Sequence, residues 1–206
     1  MKYPLYYFFY NKKRKRKQLK EFEEWELQGG KLAPVPHLVK QDTLKTYAAQ
    51  FGLNILVETG TFRGDMIEAM KGSFDKIYSI ELSQEFHEKA KKRFKGHSNV
   101  ELIQGDSGSK LKDVLGRLDQ PALLWLDGHY SGGKTAGEEK HTPIFEELEH
   151  VLNSPVEGHV LIIDDARCFG TDPSYPSIEE ISNFIHAKRP DMKISVENDS
   201  IRVMLG

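Results

Sequence analysis

Several absences bound this sequence before anything present in it does. It holds one cysteine, Cys168, so no internal disulfide is possible and a reducing, cytoplasmic compartment is expected. No apolar run approaches the roughly 18–20 residues that a membrane-spanning helix needs. The opening stretch YPLYYFFY precedes its basic run, which is the wrong order for a secretory signal. There is no internal repeat, and no low-complexity stretch beyond that basic run. The first twenty residues contain no acid at all, only Lys2, Lys12, Lys13, Arg14, Lys15, Arg16, Lys17 and Lys20.

What is present is an ordinary globular composition: 206 residues, 38% hydrophobic and 29% charged, enough for one α/β core. The formal net charge of −2 conceals an asymmetry. With eight head cations set aside, the remainder carries about −10, which argues against nucleic acid as a partner of the main domain. The basic, aromatic head has two readings: a solvated tail, or a contact for anionic lipid, an acidic partner or RNA. Residues 18–27 are expected to form a short helix ended by Gly29-Gly30. LAPVPHLVK, with Pro34 and Pro36, reads as an extended linker. The chain therefore divides into a tail, short helix and linker over 1–40 and a domain over 41–206.

From residue 41 the pattern is regular. Leu44, Tyr47, Ala48 and Phe51 have helical spacing, with Gly52 placed to end the helix. LNILVE, KIYSIE, VELIQ, ALLWLD and HVLIID read as strands, and helical segments alternate with them. Ser83 is a predicted N-cap, Thr142-Pro143 a predicted N-cap with an N1 proline, and Ser177 with Glu180 a capping box. MKISVENDSIRVML reads as two strands joined at Asn198-Asp199. The expected fold is a Rossmann-like, doubly wound α/β sheet of seven strands, mostly parallel, with a C-terminal antiparallel hairpin.

Such sheets bind ligands beyond the carboxyl ends of their strands. Here those ends carry Glu58, Glu81, Asp106, Asp127 and Asp164. After the first strand comes Glu58-Thr59-Gly60-Thr61-Phe62-Arg63-Gly64, whose glycines permit a sharp turn and close approach of a ligand. Glu81, about twenty residues on, can accept both hydroxyls of a ribose. The G-x-G-x-x-G spacing of a dinucleotide loop is missing, and an acid at position 58 suits a cationic ligand better than a pyrophosphate. S-adenosylmethionine is cationic at its ammonium and sulfonium and has no phosphate.

The loop, Glu81 and Gly105-Asp106-Ser107 resemble successive motifs of class I S-adenosylmethionine-dependent methyltransferases, from about residue 41 to the final hairpin. The resemblance implies that Glu58 and Gly60 lie near the methionine part, that Glu81 holds the ribose and that Asp106 faces the adenine amine. By the same resemblance Thr61, Phe62, Gly64, Ser107 and Asp127 also belong to the cofactor-binding set. One departure is that the commonest form of the family's loop has a glycine where this chain has Phe62.

Asp127 ends the fourth strand, and Asp164-Asp165 end the fifth. In a parallel sheet these ends are neighbours, so three carboxylates should converge. Mg2+ or Mn2+ would neutralise them, though strand-end acids also cap turns and helices. The arrangement resembles metal-dependent O-methyltransferases of the catechol type and the macrocin and mycinamicin antibiotic-sugar type. That implies magnesium at Asp127, Asp164 and Asp165, and a small-molecule or sugar hydroxyl as acceptor.

His129 and Lys134 are the candidate general bases. If Arg167 pairs with Asp165 instead, the metal is dispensable and catalysis falls to His129. Pro36, His37, Lys40 and Gln41 are a further candidate wall of the site. Two readings compete with methyl transfer: an NAD-type oxidoreductase, and a cofactor-binding protein without turnover.

Overall fold

The computed structural model describes residues 3–128 and 142–206. Seven strands form one sheet in the order β3-β2-β1-β4-β5-β7-β6. They are β1 (Ile55–Thr59), β2 (Lys76–Glu81), β3 (Val100–Gln104), β4 (Leu123–Leu126), β5 (Val160–Ile163), β6 (Met192–Glu197) and β7 (Ser200–Leu205). The first five are parallel, and β7 runs antiparallel to both β5 and β6. The hairpin turns at Asn198 and Asp199, both at positive φ (48° and 55°), the backbone that a two-residue connection between twisted strands requires.

Strands β1, β4 and β5 are buried throughout, which is why they lack polar alternation. Alternate residues go to opposite faces. Val57, Leu124, Leu126, Leu161 and Ile163 pack with α5 (Ser107–Leu115), α6 (Ile144–Leu152) and α7 (Ile178–Lys188). Leu56, Leu123, Trp125, Val160 and Ile162 pack with α2 (His37–Phe51), α3 (Asp65–Met70) and α4 (Gln84–Arg93). Each such aliphatic side chain contributes about 1.5–3 kcal/mol on burial.

Local signals set the helix ends. The Ser83 side chain accepts from the Phe86 N–H, and Ser177 with Glu180 forms the reciprocal capping box. Gly52 closes α2 in the left-handed conformation. Thr142 does not cap: α6 starts after Pro143, which occupies the N-cap position and has no side chain able to accept.

The head also differs from expectation. Helix α1 runs from Tyr3 to Leu27 and starts well before residue 18, and α2 starts at His37. Among the described residues, polar contacts that hold α1 to the domain run from Arg93 to Asn11, from Arg14 to Asp65 and from Gln41 to Gln18. Lys12, Lys13, Lys15 and Arg16 remain exposed. Among the described residues no helix is long and apolar enough to cross a membrane.

Candidate active site

The sheet order reverses between β1 and β4, since β2 and β3 lie to one side and β5 to the other. The carboxyl ends of the strands at such a switch point are where open α/β sheets bind ligands. The loop after β1 meets the end of β4 there. The Asp127 N–H donates to the Thr59 carbonyl at 3.1 Å. Gly60 has φ +89°, and a Cβ on it would sit 2.4 Å from the Asp127 carbonyl oxygen. Only glycine satisfies both the angle and the space. Next in the loop, Phe62 takes φ +46° despite its side chain, a cost of about 1–2 kcal/mol.

That strained turn aims the Phe62 N–H at Glu81. Glu81 is 7% exposed, and its carboxylate accepts from Phe62 N at 2.6 Å and from Ser83 N at 2.8 Å, one donor to each oxygen. Each oxygen keeps a second lone pair, the arrangement that two ribose hydroxyls need. The Phe62 ring packs edge-on against Phe86 and remains half exposed, a flat apolar surface beside the carboxylate.

Glu58 has the parity of Leu56 and so faces the α2–α4 side, where it is buried and accepts from the Ser79 hydroxyl. Ser79 also contacts Thr61 Oγ1 at 2.6 Å, tying the loop to β2. Burial, with Asp127 and Glu81 nearby, pushes Glu58 up to about 8. Asp106 caps α5 through Ser109 N at 3.2 Å and is exposed; Ser107 behind it is buried.

Across the switch point, oxygens of Asp127, Asp164 and Asp165 lie within 4.8 Å of one another, so the three acids converge as expected. Asp164 continues the parity of Ile162 and is 1% exposed on the α2 side. Asp165 turns out of the strand at φ +56°, another non-glycine residue held in the left-handed region.

The cluster has cations of its own. Lys40, from the first turns of α2, donates to Asp164 Oδ2 and, at 3.3 Å, to Asp165 Oδ1. Its ammonium also lies 6.0 Å from the centre of the Trp125 ring. Burial works against the charge, but Asp164, Asp165 and Asp127 together raise Lys40 above the usual lysine range. Arg167 pairs with Asp165 at 2.7 Å and with Asp199. Tyr175, in the same field, is raised by burial and by the charges of Asp165 and Asp127 among others.

The residues expected on the cofactor side lie at or just after the ends of β1, β2 and β3, and the three aspartates follow β4 and β5, all at the carboxyl edge of the sheet. His129 and Lys134 lie outside the described residues. Lys40 was legible only as a possible wall residue, and Tyr175 carried no signal. Strand parity, which puts Asp164 on the face that α2 covers, is the clue that could have found Lys40.

No protein-family model matches the chain, and no curated protein matches its sequence. Solved structures do. An O-methyltransferase from Bacillus cereus, in complex with SAH, aligns with a TM-score of 0.60 at 16% identity, over 92% of this chain and 91% of that one. The SAH-bound Podospora anserina methyltransferase PaMTH1 gives 0.58 at 14% identity, over 89% and 86%. The O-methyltransferase TomG from Streptomyces achromogenes, in complex with SAM and described as involved in tomaymycin synthesis, gives 0.55 at 20% identity, over 91% and 88%.

The fold is therefore the Rossmann-like fold of class I S-adenosylmethionine-dependent methyltransferases. Its structural neighbours with that fold include several O-methyltransferases.

Proposed function

We propose that this chain transfers a methyl group from S-adenosylmethionine to a hydroxyl oxygen of a small molecule or sugar. The observation that carries this reading is the Glu81 carboxylate. It is fixed by two backbone N–H groups, beside a loop that Gly60 brings against the end of β4. Neutral donors position the group without consuming its charge or its outward lone pairs.

On this reading Glu81 holds the ribose, and Asp106 with Ser107 takes the adenine edge. Glu58, Gly60, Thr61, Phe62 and Gly64 surround the methionine end, and Asp127 lies between cofactor and acceptor. S-adenosylmethionine supplies an electrophilic methyl on a sulfonium. The acceptor oxygen forms a bond to that carbon as the carbon–sulfur bond breaks, and the hydroxyl proton leaves to a base. His129 and Lys134 are the proposed bases, for they follow Asp127 closely in sequence. The loop after β1 lacks the G-x-G-x-x-G spacing that the pyrophosphate of a dinucleotide needs.

A second reading adds Mg2+ or Mn2+ at Asp127, Asp164 and Asp165. One observation favours it: Asp164 Oδ1 is buried with no hydrogen-bond partner among the described residues. A bound ion would polarise the acceptor hydroxyl and favour its ionisation. The oxygen donors suit such an ion, but the charge does not, because Lys40 and Arg167 already pair with two of the three carboxylates.

Calorimetry with S-adenosylhomocysteine tests the main reading. Wild type should bind, and Glu81→Ala should lose about 1–3 kcal/mol of binding free energy, the usual effect of removing a charged hydrogen-bond partner. Tight binding of NAD with no affinity for the adenosyl ligand would falsify it. Transfer of labelled methyl to a panel of catechols and sugar diols would then identify the acceptor.

A further inference from the structure

We infer that Lys40 is the resident cation of the acceptor site: its ammonium takes the place of a divalent ion among Asp127, Asp164 and Asp165 and presents an N–H to the acceptor oxygen. The second half of this claim rests on the methyltransferase reading; the first half does not.

Two of the ammonium's N–H bonds go to Asp164 Oδ2 and Asp165 Oδ1, and its Nζ lies 6.0 Å from the centre of the indole of Trp125, buried on β4. Asp127 adds to the attraction. The backbone behind Lys40 is fixed as well. One residue on, Gln41 Nε2 contacts His37 Nδ1 at 2.7 Å and reaches Gln18 on α1, which pins the first turns of α2.

An ammonium has three donors. Among the described residues only Asp164 and Asp165 accept from Lys40, so one N–H remains, on a side chain that is still 17% exposed. The group is therefore sheltered enough for its charge to act strongly and open enough to meet an oxygen.

A divalent ion and this ammonium compete for the same oxygens. Placing both in a cluster of 4.8 Å extent sets like charges against each other where solvent screens poorly. Among the described residues Arg167 is also on Asp165, shared with Asp199, so the cluster already faces positive charge besides Lys40. Lys40 thus does by side chain what an ion would do: it offsets part of the cluster's charge and stabilises negative charge developing on the acceptor oxygen. The proton still leaves that oxygen to a separate base, since Lys40 stays protonated throughout.

Titration with Mn2+, followed by electron paramagnetic resonance, separates the possibilities without any acceptor. Lys40→Met should bind the ion at least about tenfold more tightly than wild type, and Lys40→Arg should behave as wild type. Equal Mn2+ affinity in wild type and Lys40→Met would overturn the inference. So would tight wild-type binding that Asp164→Asn abolishes, a result that needs no Lys40 variant to fold.

With an acceptor in hand, wild-type turnover should be unchanged in chelator. Lys40→Met should lose about a hundredfold in kcat, with S-adenosylhomocysteine affinity preserved. Loss of wild-type turnover in chelator would overturn the catalytic half. Failure of every acceptor would count against the methyltransferase reading, which the adenosyl-ligand calorimetry judges separately, and leave the Mn2+ result standing.

Discussion

The two halves of the sheet's carboxyl edge satisfy their acids by different means. On the β1–β3 side the partners are neutral and close in the chain or on the adjacent strand. Glu81 takes the N–H groups of Phe62 and Ser83, Asp106 takes that of Ser109, and Glu58 takes the Ser79 hydroxyl. On the β4–β5 side the partners are cations, and the main one, Lys40, lies 124 residues from Asp164. Neutral donors orient a carboxylate without consuming its charge, as at Glu81, whereas cations use that charge up. On the methyltransferase reading the first half is the cofactor's receptor; the second is more nearly balanced, by the protein's own Lys40 and Arg167.

The largest expected effect strikes the balanced half. Lys40→Met leaves Asp164 buried without its countercharge, which should cost about 3–5 kcal/mol of folding stability, as for one partner removed from a buried pair. Adding Asp164→Asn to Lys40→Met should restore most of that loss, because the orphaned charge goes too. Urea unfolding of the two single variants and the double variant measures this. Additive losses would mean that the pair is not coupled, and the contrast between the halves would fail.

A smaller effect belongs to the receptor half. Glu58 is buried, and its pKa stands at about 8 against 4.5 for an ordinary glutamate. The folded state therefore keeps a proton that the unfolded chain releases, and stability falls as pH rises between those values. His37, lowered to about 4 chiefly by burial, works in the opposite sense up to its unfolded value of 6.5, and His159 is shifted the same way.

The window free of both histidines is therefore pH 6.5 to 8, although Asp164, which burial also raises, works in the same sense as Glu58. There Glu58 alone should account for a loss of up to about 2 kcal/mol, at the limit of about 1.4 kcal/mol per pH unit. Glu58→Gln should make the curve clearly shallower. If the variant keeps the slope, Glu58 is already ionised in the free protein and the receptor half is not waiting for a cation.

This contrast also sorts what the sequence made legible. Glu81 at the end of β2, the Ser83 cap, the capping box at Ser177 and the turn at Asn198-Asp199 are local patterns, and each lies where its pattern placed it. The convergence of Asp127, Asp164 and Asp165 followed from adjacency of parallel strands. What brings Lys40 to them is the passage of α2 across the sheet face, a tertiary relation with no local signature.

Helix α1 escaped for a related reason. Residues 12–17 show no apolar period, and the contacts that dock the helix come from Asp65, Arg93 and Gln41. At Thr142 a plausible cap was displaced by the proline that follows it, since α6 begins only after Pro143.

The smallest effect probes whether α1 belongs to the receptor half at all. Arg14 pairs with Asp65, the residue just after Gly64 and the first of α3, so α1 reaches the base of the loop after β1. Arg93 reaches the same carboxylate at 2.9 Å and also binds the Arg63 carbonyl, and its side chain is only 4% exposed. Arg93 is thus the stronger anchor, while Arg14, 28% exposed, is the more screened one. Arg14→Ala should therefore cost no more than about 1 kcal/mol in stability, with the difference shrinking as salt rises. Removing residues 1–17 should leave affinity for S-adenosylhomocysteine unchanged within about twofold, a shift of roughly 0.4 kcal/mol. Calorimetry on the truncated, folded protein decides it. If affinity collapses while Arg14→Ala alone is silent, α1 supplies more than this ion pair to the loop. The receptor would then extend beyond the strand ends, and the neutral, local character assigned to that half would be wrong.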